Sequence, residues 1–261
     1  MAVFHHVIVI DGFSRDWFEE FVREFADGVE ALRFEDGELV TESATGGRVV
    51  LIAGRHIGPG TQYRLIPDAE GVPPTSVTVT RWDRDSEISI GFSKRSNGMV
   101  TASTRTLRSV THPRTAQLHG TYNNTSGPWL LRQASWSLDL DLERWWAHVS
   151  DASSTPGPAP MTFTFVHPHV TTTLEIVPSP AGSNRWSLKT TATIRSTSWA
   201  RPVVAVALLL GRKFLDSSYR EMIHEIVPEW NAAVERLRDM PPQKAAAQSL
   251  GAFWTENPTL G

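Results

Sequence analysis

From Glu35 to about Ser109 the chain alternates apolar and polar residues with a period of two, and it is cut at short intervals by Gly and Pro. That pattern constrains the fold more than any other feature. A period of two puts every second side chain on one face of an extended strand, and helices cannot satisfy it. Gly37, Gly46-Gly47, Gly58-Pro59-Gly60, Pro73-Pro74 and Asn97-Gly98 are the breaks. Between them the spacing predicts strands over Arg48–Ala53, Gln62–Ile66, Ser76–Trp82, Glu87–Phe92 and Met99–Leu107. Breaks this short join neighbouring antiparallel strands, and Asn97-Gly98 has the composition of a two-residue hairpin turn.

Other elements flank this block. Val3–Ile10 reads as a strand closed by Asp11-Gly12. Ser14 then stands as an N-cap before a helix running to about Leu32, in which Trp17, Phe18, Phe21, Val22, Phe25 and Val29 recur at helical spacing. Gln133–Leu142 reads as a strand and Glu143–Val149 as a short helix with a Trp145-Trp146 pair. The stretch from Ser153 to Pro160 is a stiff, proline-rich loop or linker. Strands are expected over Met161–Val177, with a bulge or edge position at Pro168, and over Arg185–Thr197. A long helix from about Val203 to Arg238 carries Leu215, Tyr219, Met222, Ile223, Ile226, Trp230, Val234 and Leu237 as one apolar stripe. Gly211 can break it, Pro228 can kink it, and Pro241-Pro242 ends it. The tail over 241–261 reads as loosely packed.

Composition excludes several classes of function. There is no cysteine, so disulfides, thiolate nucleophiles and Cys-ligated metal are ruled out. A net charge of −3, with basic residues scattered among acids, argues against nucleic acid as a partner. The longest apolar run, Val203 to Leu210, is eight residues against the roughly 20 of a spanning helix, so no membrane span is expected. The start MAVFHHVIVIDG lacks a basic n-region and a small-residue cleavage site, and a cytoplasmic location is the expectation. Ten Trp against three Tyr point to large flat surfaces, either in the core or around a cavity. The G-x-S-x-G, Walker, H-E-x-x-H and G-x-G-x-x-G motifs are all absent. Asn124-Thr125-Ser126 fits a glycosylation site, which matters only in a secreted protein.

Strand, helix, many antiparallel strands and one long C-terminal helix is an element order that resembles the START/Bet v 1-like (SRPBCC) superfamily, which includes polyketide cyclases and aromatases. The resemblance rests on Arg185–Thr197 as last strand, Ser198 to Pro202, and Phe214–Leu237 as the gripping helix. Val7–Phe25 adds a first strand and helix, so roughly a third of the chain is covered. It implies an α+β helix-grip fold, a curved antiparallel sheet wrapped around the long helix and enclosing an apolar cavity. At 261 residues such a fold is enlarged or duplicated. Val9–Phe18 echoes Ser137–Trp146, which would place two halves at 1–130 and 131–240 of a 1–240 domain.

Candidate site residues follow. His119, Tyr122 and Asn124 can converge as an imidazole, a phenol and an amide on a carbonyl, or belong to an ordinary loop. Tyr219 can present its hydroxyl to the cavity that the resemblance implies, or satisfy it on a backbone carbonyl. Arg195 can reach the same cavity or face solvent, since its neighbour Ile194 needs the buried side. Trp136, Phe163, Phe165, Met222 and Trp230 are expected to shape the cavity. His167-Pro168-His169 with Glu175 loosely resembles the first metal motif of cupins, but His169–Glu175 is too long a spacing and no second motif follows. No metal or other cofactor is therefore expected, and His169 is retained as an acid–base candidate.

With these candidates, the resemblance implies a cofactor-free cyclase or dehydratase acting on a hydrophobic, polyketide-like molecule. The same cavity serves a non-catalytic carrier of a lipid or secondary metabolite, and a lipocalin-like barrel with its last helix outside is a third arrangement.

Overall fold

A computed structural model describes residues 1–40, 47–126, 132–150, 157–196 and 212–255, with the side chains of 212–215, 222 and 252–255 outside that description. The chain is α+β, with antiparallel strands throughout. It divides into two compact units. The first joins Met1–Arg15 to Gln133–Asp239, and the second joins Asp16–Arg132 to Met240–Gly261. Each unit is thus built from two separate stretches of the chain, with the first strand grouped with Gln133–Asp239.

In the first unit the strand order is β1 (Ala2–Asp11), β13 (Arg185–Ser196), β12 (Val170–Pro180), β11 (Met161–His167) and β10 (Gln133–Asp141). The expected single strand Met161–Val177 is a hairpin instead. Pro168 has no N–H to give a ladder, so the chain turns there and returns in register, His167 opposite Val170 and Phe163 opposite Leu174. The register β10–β11–β12–β13–β1 aligns side chains in rows on one face. Trp136, Phe165, Thr172, Ile194 and Ala2 form one row; Leu138, Phe163, Leu174, Ala192 and Phe4 the next; Leu140, Met161, Ile176, Thr190 and His6 the third.

Two helices bear on this face. Helix α2 (Leu142–Ser150) is opened by Asp141, whose Oδ1 accepts the Arg144 N–H at 2.9 Å, and it buries Trp145 and Trp146 edge-on to Trp186. Phe13 meets Trp186 as well, with centroids 5.3 Å apart. Gly12 makes this packing possible, because a methyl at its Cα would overlap the Trp186 indole. Helix α3 (Arg212–Arg238) packs on β1, buries Ile223 and Val234, and continues through Pro228. The expected stripe is narrower than its spacing implied, since Ile226 is 55% exposed. The start expected from Val203, together with Gly211 and the residues from Thr197 to Pro202 used in the family resemblance, lies outside the described residues.

The second unit holds α1 (Arg15–Glu30) and an eight-stranded antiparallel meander. Its strands are β2 (Phe34–Glu35), β3 (Glu38–Leu39), β4 (Arg48–Ala53), β5 (Gln62–Ile66), β6 (Thr75–Asp83), β7 (Glu87–Ser96), β8 (Met99–Arg108) and β9 (Thr115–Asn124). Asn97 and Gly98 have φ of 46° and 79°, the left-handed pair that a tight hairpin with strand-matching twist demands. One core gathers Val49, Tyr63, Leu65, Val77, Val79 and Phe92. Ala26 of α1 reaches a second, with Ile88 and Val110. The tail is better packed than expected. Pro242–Thr255 forms α4, with Ala245 and Ala246 buried, Leu250 against Gly28 and Gln243 Nε2 donating to Glu20 at 2.7 Å.

Candidate functional site

The helix-bearing face of the first unit gathers more of the expected site residues than any other region. Alternation along β1 sends Phe4, His6, Ile8 and Ile10 to this face and leaves His5, Val7 and Val9 on the other. His6 therefore lies under α3. Its ring meets Tyr219 edge-on with centroids 6.5 Å apart and His224 at 5.5 Å. Its Nε2 is buried and has no hydrogen-bond partner among the described residues. Ser196 Oγ, on the same face, is a second buried polar atom without one.

Tyr219 donates its hydroxyl proton to Thr190 Oγ1 at 2.6 Å, and Thr190 Oγ1 donates in turn to the His6 carbonyl at 3.2 Å. The phenol thus reaches a backbone carbonyl through a threonine rather than directly. Burial raises the Tyr219 pKa above its ordinary value, against the opposing pull of the Thr190 bond, so the phenol stays protonated at neutral pH. An imidazole nitrogen in want of a proton donor or acceptor, beside a protonated phenol, is the pairing that general acid–base chemistry uses. Trp136, Phe163 and Phe165 stand on the same face, half-buried, in the first two rows. On β11 and β10 they lie three and four strands away from His6.

Other expected residues are placed elsewhere. Arg195 is exposed on the opposite face, because Ile194 and Ala192 take the helix-bearing side. Trp230 is 38% exposed and donates Nε1 to the Asp11 carbonyl at 2.8 Å, tying α3 to the end of β1. The Met222 side chain lies outside the described residues. His167 and His169 bracket the β11–β12 turn, with ring centroids 5.4 Å apart and the His169 N–H donating to His167 Nδ1 at 3.3 Å. They do not share a strand face as their spacing suggested. Glu175 is on the opposite face from His167, so the cupin-like trio is not assembled. Among the described residues no group of three or more His, Asp or Glu is placed to hold a metal.

His119, Tyr122 and Asn124 belong to the second unit, in strand β9 rather than a loop. Alternation puts His119 on one face and Tyr122 and Asn124 on the other, and Asn124 Nδ2 donates to Tyr122 Oη at 3.0 Å. The three do not converge. The second unit has a tighter polar cluster that the sequence did not flag. His56 Nε2 lies 2.9 Å from the Val29 carbonyl, which can only accept, so Nε2 carries the proton and Nδ1 accepts from Tyr63 Oη at 2.8 Å. Tyr63 Oη also receives the Ile57 N–H at 2.8 Å. Every polar atom there is satisfied, and Ile57 is held at φ 54°, a left-handed conformation that a β-branched residue rarely adopts. Close by, Glu30 accepts from Trp82 and Arg84, and Arg84 also pairs with Asp27 at 2.6 Å. These networks brace the fold.

His6, Thr190 and His224 are the additions of the structure. His6 was legible only as one of two adjacent histidines in an alternating strand. Its face could be assigned from Phe4, Ile8 and Ile10, whose apolar side chains share its parity. Among the described residues no helix is long and apolar enough to cross a membrane. Neither a protein-family model nor a curated protein matches this chain.

Proposed function

We propose that the helix-bearing face of the first unit binds a hydrophobic, carbonyl-bearing small molecule, polyketide-like in character, and that His6 and Tyr219 promote its cyclisation or dehydration by acid–base chemistry. The observation that carries this reading is the buried, unpartnered Nε2 of His6 beside the phenol of Tyr219, at the margin of an apolar surface. Burying an imidazole nitrogen with no partner costs about 1–3 kcal/mol, a penalty that a bound substrate would relieve. The helix-grip reading draws support from two features of this unit. The first strand pairs with the last, and the long helix packs on that first strand.

In such a reaction His6 Nε2 removes a proton from the carbon next to a carbonyl. The resulting enolate attacks a second carbonyl of the same chain and forms the ring bond. The new alkoxide takes the proton back from the imidazolium. Tyr219 turns its hydroxyl from Thr190 to the enolate oxygen. Trp136, Phe163 and Phe165 hold the chain folded, which lowers the entropy cost of ring closure.

The alternative is a carrier, and one observation favours it: the Tyr219 proton is already given to Thr190, which leaves an oxygen acceptor suited to anchoring a ligand hydroxyl. A linear poly-β-ketone thioester decides between them. Tryptophan fluorescence reports binding, and near-ultraviolet absorbance reports the aromatic product that forms once the new ring alcohol has lost water. The enzyme reading expects turnover that His6→Gln lowers by about 10²–10⁴ with little change in binding. Binding without turnover selects the carrier, and no binding by this ketone or by a long-chain fatty acid removes both.

A further inference from the structure

Strand β8 carries an arginine where its neighbours would accommodate an apolar residue. Arg105 stands in register between Ile90 of β7 and Leu118 of β9, and the adjacent row on the same face holds Ile88, Leu107 and Ala116. This face bears the cores of the second unit, with Phe92 in one and Ile88 in the other. Alternation therefore turns Arg105 onto the core face, half-buried, while Thr104 and Arg108 are exposed on the opposite one.

The guanidinium meets no anion there. Its Cζ lies 4.5 Å from the centroid of the Phe92 ring, and among the described residues it makes no ion pair or hydrogen bond. Other arginines of this unit are paired: Arg108 with Glu87 at 3.5 Å, Arg48 with Glu38 at 3.2 Å and Arg84 with Asp27 at 2.6 Å. The face of Arg105 offers no such partner. Over β7, β8 and β9 it bears no Asp or Glu, and its other charged residue, Lys94, is also basic. Burial pulls the Arg105 pKa below its ordinary value with no carboxylate opposing it, yet a guanidinium is still a cation at neutral pH. A half-buried cation without a counter-charge is costly, and an anion placed beside it relieves that cost.

The contact with Phe92 indicates which anion fits. Val22 and Ala26 of α1 pack at the Ile88 and Leu107 end of the face, whereas Phe92 lies one row further from that end than Ile90. The guanidinium thus leans away from the helix. One side of it rests on the Phe92 ring, and its five N–H donors, which lie in the plane of the fork, are uncommitted. Ser103 stands opposite Phe92 and adds a hydroxyl with no hydrogen-bond partner among the described residues. A planar fork on an aromatic ring matches a carboxylate, which accepts two parallel N–H bonds. We propose that Arg105 anchors the carboxylate of a hydrophobic acid whose apolar body lies along Ile90, Phe92 and Leu118. This site belongs to the second unit and does not depend on the chemistry proposed for the first.

Isothermal titration calorimetry of the full chain tests this with decanoate, its uncharged counterpart 1-decanol, and inorganic phosphate. Decanoate is expected to bind at least tenfold more tightly than either. Arg105→Met keeps an apolar side chain on Phe92 but removes the charge. It is expected to bring decanoate down to the level of 1-decanol, with the melting temperature unchanged or raised because no partner is left unpaired. Arg105→Lys keeps the charge without the fork and is expected to fall between the two, and it decides alone should Arg105→Met fail to fold. Tyr219→Phe is expected to leave decanoate binding intact, which separates this site from the one proposed in the first unit. Decanoate bound no more tightly than 1-decanol overturns the proposal, as does decanoate binding that survives Arg105→Met. Phosphate bound as tightly as decanoate also overturns it, since a bare anion site needs no apolar body.

Discussion

The Tyr219 hydroxyl lies 2.6 Å from Thr190 Oγ1 and donates to it, so a residue of the long helix and a residue of β13 share a proton beside a histidine of β1. Three elements distant in sequence meet in that one contact. Tyr219→Phe removes the donor but leaves Thr190 bonded to the His6 carbonyl, and a loss of about 1 kcal/mol is expected in urea unfolding. Thr190→Val strands the phenol instead, and its cost is expected to be larger, about 1–3 kcal/mol.

Gly12 and Trp186 are packed so closely that no side chain fits between them. Gly12→Ala must displace the indole and the Trp145, Trp146 and Phe13 rings that abut it. A destabilisation of about 1–3 kcal/mol is expected, with a changed near-ultraviolet circular dichroism spectrum from the disturbed indoles. An unchanged spectrum would show that the cluster is looser than its geometry.

Tyr63 satisfies two neighbours at once. Tyr63→Phe leaves the Ile57 N–H and His56 Nδ1 without partners, and about 2 kcal/mol of stability should be lost. Ile57→Gly acts in the opposite sense by relieving a left-handed φ, with a gain of up to about 1 kcal/mol if the loop keeps its shape. Thermal unfolding of both variants reads the two signs.

The acid response of the second unit should depend on Glu30. Burial pulls its carboxyl pKa upward, but hydrogen bonds from Arg84 and Trp82 outweigh that and hold it below the ordinary 4.5. A carboxylate depressed in the folded state adds stability that is fully present above the unfolded value. That stability is lost as pH falls through the lower folded value. The melting temperatures of wild type and Glu30→Gln should therefore differ above about pH 4.5 and converge at more acidic pH. A constant offset down to pH 2 would mean that Glu30 acts through shape and not charge.

Much of the fold was legible because its strands are half-buried and carry the alternating pattern. Gln62–Ile66 and Arg48–Ala53 emerge with the expected bounds, and Asn97-Gly98 makes the expected turn. The strand Thr115–Asn124 was missed because Leu118, Gly120, Tyr122 and Asn124 share a face without reading as apolar. The sequence predicts a bulge or edge position at Pro168 rather than a turn, because a proline stops a ladder in every case and only the register tells which. The site was less legible. Tyr219 was found on its helix, since one phenol in an apolar stripe is conspicuous. Its partners on β1 and β13 are fixed by pairing over a span that no local pattern encodes, and a lone threonine such as Thr190 carries no signal of its own.

That span has a consequence for how the molecule is made. The ladder partner of β1 begins at Arg185, 174 residues beyond Asp11. At about 5–20 residues per second, a ribosome takes on the order of 10–35 s to deliver the second strand after the first. For that interval a run of Val and Ile waits with both edges unpaired, and contacts of such long range form late. Nascent-chain binding factors that shield extended apolar segments should therefore act on the first ten residues, and the yield of native protein should rise when translation between the two strands is fast.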